Sequence, residues 1–94
     1  MAAALDGLRV LDLSTRLSSA FAGRLFGDFG AEVLLAEPPD GHPLRRQGPF
    51  LDDRPGLERG FLNAYANWNK RSTTIRSAEA LAGLVASADV VITD

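Results

Sequence analysis

The sequence predicts an α/β fold with an open parallel sheet, and three stretches predict it. Leu8 to Leu13 and Glu32 to Glu37 read as strands, and the residues between them carry a helical pattern. Two strands joined by a helix within about thirty residues run parallel, because the crossover returns the chain to the same end of the sheet. The third stretch, Ala88-Asp89-Val90-Val91-Ile92-Thr93, is apolar on both faces, as a central parallel strand is. The architecture expected is therefore an open sheet built from βαβ units.

Length and composition bound what such a chain does. Ninety-four residues make one small domain with a thin core. No apolar run approaches the roughly 18 residues of a membrane-spanning helix. Met1-Ala2-Ala3-Ala4 lacks the basic start and long apolar centre of a secretion signal, so the expected location is cytoplasmic. The absence of cysteine excludes a disulfide framework and a thiolate metal site. A net charge of −2 makes no electrostatic case for nucleic acid.

In chain order, residues 2–7 form a lead-in with a turn at Asp6-Gly7. Ser14 to Ser19 follows the first strand at the amino end of the helix, where unpartnered N–H groups favour an anion or phosphate. The helix is expected over Ala20 to Phe29. Leu17, Phe21, Leu25 and Phe29, widened by Ala22 and Phe26, are expected to lie on the sheet. Gly23 and Gly27 each cost about 1 kcal/mol relative to alanine inside a helix, so both imply close approach of another backbone. Gly30 is placed to end the helix in the left-handed conformation.

All five prolines fall between Pro38 and Gly56, which reads as one long loop. Helical spacing resumes from Leu57 to Trp68, and Phe61, Tyr65 and Trp68 read as core. Ser72 to Ile75 is a third strand, Ser77 caps a helix running to Ser87, and residues 88–93 form the fourth strand. Repeats and low-complexity tracts are absent. Because the chain stops at the carboxyl end of a strand, the expectation is an incomplete, N-terminal portion of a larger domain.

Most candidate polar residues have an unremarkable use. Glu37 ends the second strand as a ribose-binding acid does, but no Gly-x-Gly-x-x-Gly precedes it, which disfavours an NAD site. His42, in the Pro/Gly loop, reads as solvated. Ser14, Ser18 and Ser19 have no histidine near in sequence and no Gly-x-Ser-x-Gly setting, so none reads as a nucleophile. Asp12 and Asp89 read as structural, and Lys70-Arg71 as charge at a helix end.

Five blocks then carry a resemblance. Leu5-Asp6-Gly7-Leu8-Arg9-Val10-Leu11-Asp12-Leu13-Ser14, Phe29-Gly30-Ala31-Glu32-Val33, Glu37-Pro38-Pro39-Asp40-Gly41, Asn69-Lys70-Arg71-Ser72 and Ala88-Asp89-Val90-Val91 occur in order across nearly the whole chain. In these the sequence resembles the opening of a family III coenzyme A transferase, a family that includes formyl-CoA and carnitine CoA-transferases and the alpha-methylacyl-CoA racemases. The resemblance implies a Rossmann-like, CoA-binding segment within a longer protein whose two subunits interlock as a homodimer. It implies transfer of CoA between an acyl-CoA and a carboxylic acid through an aspartyl-CoA thioester, or inversion beside the thioester carbonyl in a racemase.

The nucleophilic aspartate lies beyond Asp94, so no residue of this chain is expected to be catalytic and no metal is implied. The family's CoA contacts match Arg16, Leu17 and Ser18 after the first strand, Pro38 after the second, Ile75 and Arg76 near the third, and Asp94 after the fourth. Four departures stand out, one being that the segment after Arg71 is a few residues shorter than usual and lacks the common Asp-Leu-Lys run. Ser18-Ser19-Ala20 replaces an Ala-Gly-Pro turn. Pro38 stands where a basic residue is common, leaving Arg45 or Arg46 as replacement phosphate contacts. Asp94 replaces a common asparagine and would repel phosphate. The reading from a different class is a small noncatalytic nucleotide-binding or interaction module.

Overall fold

Period-2 alternation in the first two strands puts residues 10 and 12 of one beside 33, 35 and 37 of the other, and this shared face is where the core forms. In the computed structural model, which describes residues 3–94, the strands are β1 (Arg9–Asp12), β2 (Glu32–Glu37), β3 (Arg71–Thr74) and β4 (Val90–Ile92). The helices are α1 (Leu17–Asp28), α2 (Phe61–Ala66) and α3 (Ala78–Ser87). Met1 and Ala2, the first of which precedes the expected lead-in and the second of which begins it, lie outside the described residues.

All pairings are parallel, in the order β3-β2-β1-β4. Val10 sits opposite both Val33 and Val90, so the centre of the sheet is an aliphatic row. The predicted α/β class and parallel sheet are therefore present. One expectation changes: β4 is an edge strand among the described residues, and its central Val91 is exposed.

The ends of the elements follow local chemistry. Gly7 and Gly30 take positive φ, +87° and +103°, at the two turns where the sequence places glycine. Ser77 caps α3 by accepting from the Ala80 N–H at 3.1 Å. The long loop is less plain than expected, since it contains two 3₁₀ turns, Pro43–Arg46 and Leu51–Asp53. Helix α2 is half the predicted length, because the chain from Leu57 to Gly60 is held instead by the loop: Leu51 N–H donates to Arg59 O and Phe61 N–H to Pro49 O.

The face that α1 turns to the sheet differs from the one its large apolar residues suggest. Leu17, Leu25 and Phe29 are 44%, 42% and 57% exposed, whereas Ala20 and Gly23 are buried. A helix can approach a sheet closely only over small side chains. Ala20, Gly23 and Gly27 form that strip, and Phe26 packs against Val10, Ala31 and Val33 beside it. A β-carbon on Gly23 would run into Asp12 Oδ2 and stand 3.0 Å from Lys70 Nζ; one on Gly27 would stand 3.1 Å from the Asn69 carbonyl. The aromatic reading of α2 is corrected too, since Phe61, Tyr65 and Trp68 are at least half exposed and the buried residue is Ala66. Ala66 joins Ala20 and Leu44 in a second small cluster.

Substitution of the two helical glycines with different surroundings separates packing from propensity. Gly83 in α3 has nothing within 4 Å of its missing β-carbon, so Gly83→Ala raises stability by up to about 1 kcal/mol. Gly23→Ala lowers it by about 1–3 kcal/mol despite the same gain in propensity, because the methyl group has no room. Urea midpoints of the two variants moving in opposite directions is the expected result; a parallel rise removes the packing argument.

Candidate functional site

Because the four strands are parallel, the segments that leave them at Asp12, Glu37, Thr74 and Ile92 share one edge of the sheet. Three carboxylates organise that edge. Asp12, the last residue of β1, points into the buried face and is fully excluded from solvent. Its Oδ1 accepts from the Ser14 N–H at 2.8 Å and its Oδ2 from Lys70 Nζ at 2.5 Å. The Lys70 ammonium, 1% exposed, spends its other protons on the Ala20 carbonyl at 2.8 Å and Asn67 Oδ1 at 2.6 Å. Burial pulls the Lys70 pKa below the usual lysine range against the opposing pull of Asp12. Lys70 is thus a core residue and not a charge at a helix end. The signal was in the sequence: an acid two residues after Val10, on the apolar face of a strand, demands a buried cation.

Glu37, at the end of β2, is the second. Arg45 grips it with two nitrogens, Nε to Oε1 at 2.5 Å and NH2 to Oε2 at 3.0 Å, while Ser72 Oγ donates to Oε2 and the His42 N–H donates to Oε1 at 2.8 Å. Burial alone raises the pKa of this carboxyl, but the hydrogen bonds from Arg45, Ser72 and His42 outweigh it and hold the value at about 2. The ribose contact disfavoured for Glu37 and the phosphate contact offered for Arg45 both fall on groups that already have partners. Glu37 is already satisfied, and Arg45 is committed to Glu37 and to Glu58 at 3.2 Å. A cleft of about 260 Å³ opens over the β2–β3 end, lined in part by Glu37, Pro38, Arg45, Glu58, Ser72 and Thr74.

His42, expected in solvent, is 1% exposed. Its Nδ1 accepts from the Leu44 N–H at 3.1 Å, which places the ring proton on Nε2, and Nε2 faces Ser14 Oγ at 3.4 Å. Burial pushes its pKa down, so the ring stays neutral. A histidine whose Nε2 donates to a serine cannot take that serine's proton, so the contact is not a nucleophilic pair. The loop fold that buries His42 has no signature in sequence, which is why the reading missed it.

Asp94 is the third carboxylate, and it fills the position where an external anion was expected. Its oxygens accept from the Thr15 N–H at 2.7 Å, the Arg16 N–H at 2.8 Å, Thr15 Oγ1 at 2.7 Å and Ser19 Oγ. The Ser19 hydroxyl and the Thr15 amide, in that order, hold its pKa well below the usual carboxylate range. Asp94 thereby satisfies the two amides that lead into α1.

The seven positions singled out above all lie on this edge. Arg16, Leu17 and Ser18 stand exposed at the first turn of α1, beside Asp94. Pro38 is exposed after β2, and half-buried Ile75 donates its N–H to the Glu37 carbonyl at 2.8 Å, with exposed Arg76 next in the chain. The two groups sit over different strand pairs, β1–β4 and β2–β3. Among the described residues no carboxylate pairs with Arg16 or Arg76. Nor is any cluster of three His, Asp or Glu among them placed to hold a metal ion, and no helix among them is long and apolar enough to cross a membrane.

Comparison with known proteins bears on this edge. The model of "CoA-transferase family III" matches residues 5–94. The chain is 38% identical over 94 residues to succinyl-CoA:mesaconate CoA-transferase of Haloarcula hispanica, covering 95% of this chain and 24% of that protein. It is 32% identical over 94 residues to cinnamoyl-CoA:phenyllactate CoA-transferase of Clostridium sporogenes, covering 95% and 23%. A crystal structure of a CAIB/BAIF family protein from Brucella suis superposes with a TM-score of 0.86 at 35% identity, over 99% of this chain and 26% of that one. The chain thus spans about a quarter of the length of these relatives.

The Glu37 cluster generates a pH prediction. Its folded pKa of about 2 lies below the ordinary 4.5, so its stabilisation is present above pH 4.5 and disappears as pH falls towards 2. Glu37→Gln is less stable than the parent at neutral pH by up to roughly 3 kcal/mol, from a shift worth about 1.4 kcal/mol per pH unit. That gap closes between pH 4.5 and 2, read by chemical unfolding at a series of pH values. A gap that stays constant with pH assigns the effect to packing.

Proposed function

This chain belongs to CoA-transferase family III, and we propose that within it residues 1–94 form the N-terminal part of a Rossmann-like, CoA-binding domain. The segment holds the nucleotide end of coenzyme A at the carboxyl edge of the sheet. The reaction served is movement of CoA from an acyl-CoA to a carboxylic acid through an aspartyl-CoA thioester. The aspartate that forms it is supplied from outside these residues, and the working unit is a cytoplasmic homodimer.

One observation carries the reading: Arg16 to Ser18, Pro38, Ile75, Arg76 and Asp94, scattered over 79 positions of sequence, all fall on a single edge of a parallel sheet. In open α/β sheets that edge is where nucleotide ligands bind. Arg16 and Arg76 are the cations there without a carboxylate partner among the described residues, so they are the groups to meet phosphate. Arg45 does not substitute for the missing base at Pro38, since Glu37 holds it. Asp94 already satisfies the amides of Thr15 and Arg16, so the phosphates approach the arginine side chains and not those amides.

Coenzyme A at millimolar concentration raises the melting temperature of the intact gene product, because a ligand that binds only the folded state stabilises it by mass action. Arg16→Ala and Arg76→Ala each weaken binding by roughly five- to tenfold in calorimetry, the loss of about 1 kcal/mol or slightly more per charge-assisted contact. The arginine contribution declines with added salt. An unchanged melting temperature overturns the reading.

A further inference from the structure

We infer that the buried Asp12–Lys70 pair is a positioning device for the segment Ser14–Ser18, and so sets affinity for the CoA nucleotide as well as stability. The inference rests on the CoA-binding reading above. The segment leaves β1 and enters α1 with no ladder partner of its own, and its exposed side chains at 16, 17 and 18 are the ones assigned to the ligand. One ion pair pins the backbone on both sides of it, at Ser14 and at Ala20 in the first turn of α1, and Asp94 holds the Thr15 and Arg16 amides between them. Asp12 Oδ1 takes the Ser14 N–H at 2.8 Å, and Lys70 Nζ, on Asp12 Oδ2 at 2.5 Å, reaches across to the Ala20 carbonyl at 2.8 Å. His42 adds a contact to Ser14 Oγ at 3.4 Å.

Two features argue that the pair does more than stabilise. A buried ion pair is commonly replaceable by well-packed apolar residues at no loss of stability, so its presence is not explained by stability alone. What an apolar pair cannot do is accept from Ser14 and donate to Ala20 at once. Lys70 also has all three of its protons directed, to Asp12, Ala20 and Asn67, and Gly23 has no side chain to push it aside. The ammonium is thus held in one place by β1, α1 and the end of α2, and the distance from Ser14 to the first turn of α1 is held with it. Sub-ångström placement of binding groups is what a site of this kind needs.

The test compares Asp12→Leu/Lys70→Met with Asp12→Asn/Lys70→Met in the intact gene product. Both pairs are neutral and fill the space, and only the asparagine restores an acceptor for the Ser14 N–H. Cooperative unfolding with CoA affinity lowered about tenfold or more in the leucine variant, partly recovered in the asparagine variant, is the expected result. A folded leucine variant that binds CoA as the parent does overturns the inference.

Hydrogen exchange on the parent protein decides the matter if neither variant folds. The Ser14 amide is expected to exchange as slowly as the amides of β1, and exchange at the rate of an unprotected amide overturns the inference. A parent protein that fails to bind CoA overturns instead the functional reading and the ligand named here, while the Ser14 protection remains to be read separately.

Discussion

One charge in the wrong place for a hydrophobic core sets much of this architecture. Asp12 lies on the apolar face of the central strand, and a carboxylate there is tolerable only if a cation and hydrogen-bond donors are delivered to it. The chain delivers Lys70 from beyond α2, 58 residues away. Bringing that ammonium in places the end of α2 against α1 and fixes the start of β3, so the crossover from β2 to β3 is organised by the pair. Removing one partner of such a pair leaves an uncompensated buried charge, at a cost of about 3–5 kcal/mol.

The same constraint explains why α1 packs through its smallest residues. Ammonium, carboxylate and the Ala20 carbonyl must meet within hydrogen-bonding distance, and only a glycine at position 23 leaves room for them. The large apolar residues of α1 are displaced to its flanks. Phe21 stacks on Tyr65 at 5.9 Å between ring centres, and the Arg24 guanidinium sits 4.6 Å from the Tyr65 ring. Aromatic side chains that looked like core therefore form a partly exposed seam between α1 and α2.

At the carboxyl edge the charges are arranged so that few remain free. Glu37 and Arg45 neutralise each other, Asp94 takes the amides of Thr15 and Arg16 ahead of α1, and His42 is buried. Arg16 and Arg76, on the two halves of the edge, are exposed and have no carboxylate partner among the described residues. A carboxylate seated before the helix occupies the amides of Thr15 and Arg16, and the amides of the first helical turn lie next to it.

Local pattern was enough for the four strands and the order of the helices, but not for the length of α2 or the 3₁₀ turns of the long loop. β2 runs over Glu32–Glu37 as its alternation says, Ser77 caps α3, Gly30 ends α1 in the left-handed region, and the parallel arrangement follows from strand, helix and strand in so short a span. Each depends on neighbours within a few residues, which a sequence displays. The family resemblance was equally legible, because it lies in ordered blocks. What only the tertiary structure decided is which groups meet across long separations: Lys70 with Asp12, Arg45 with Glu37, His42 with Ser14, Asp94 with Thr15. Charge pairing and burial depend on where the chain returns in space. The same lysine is therefore charge at a helix end by local pattern and the buried partner of Asp12 by fold.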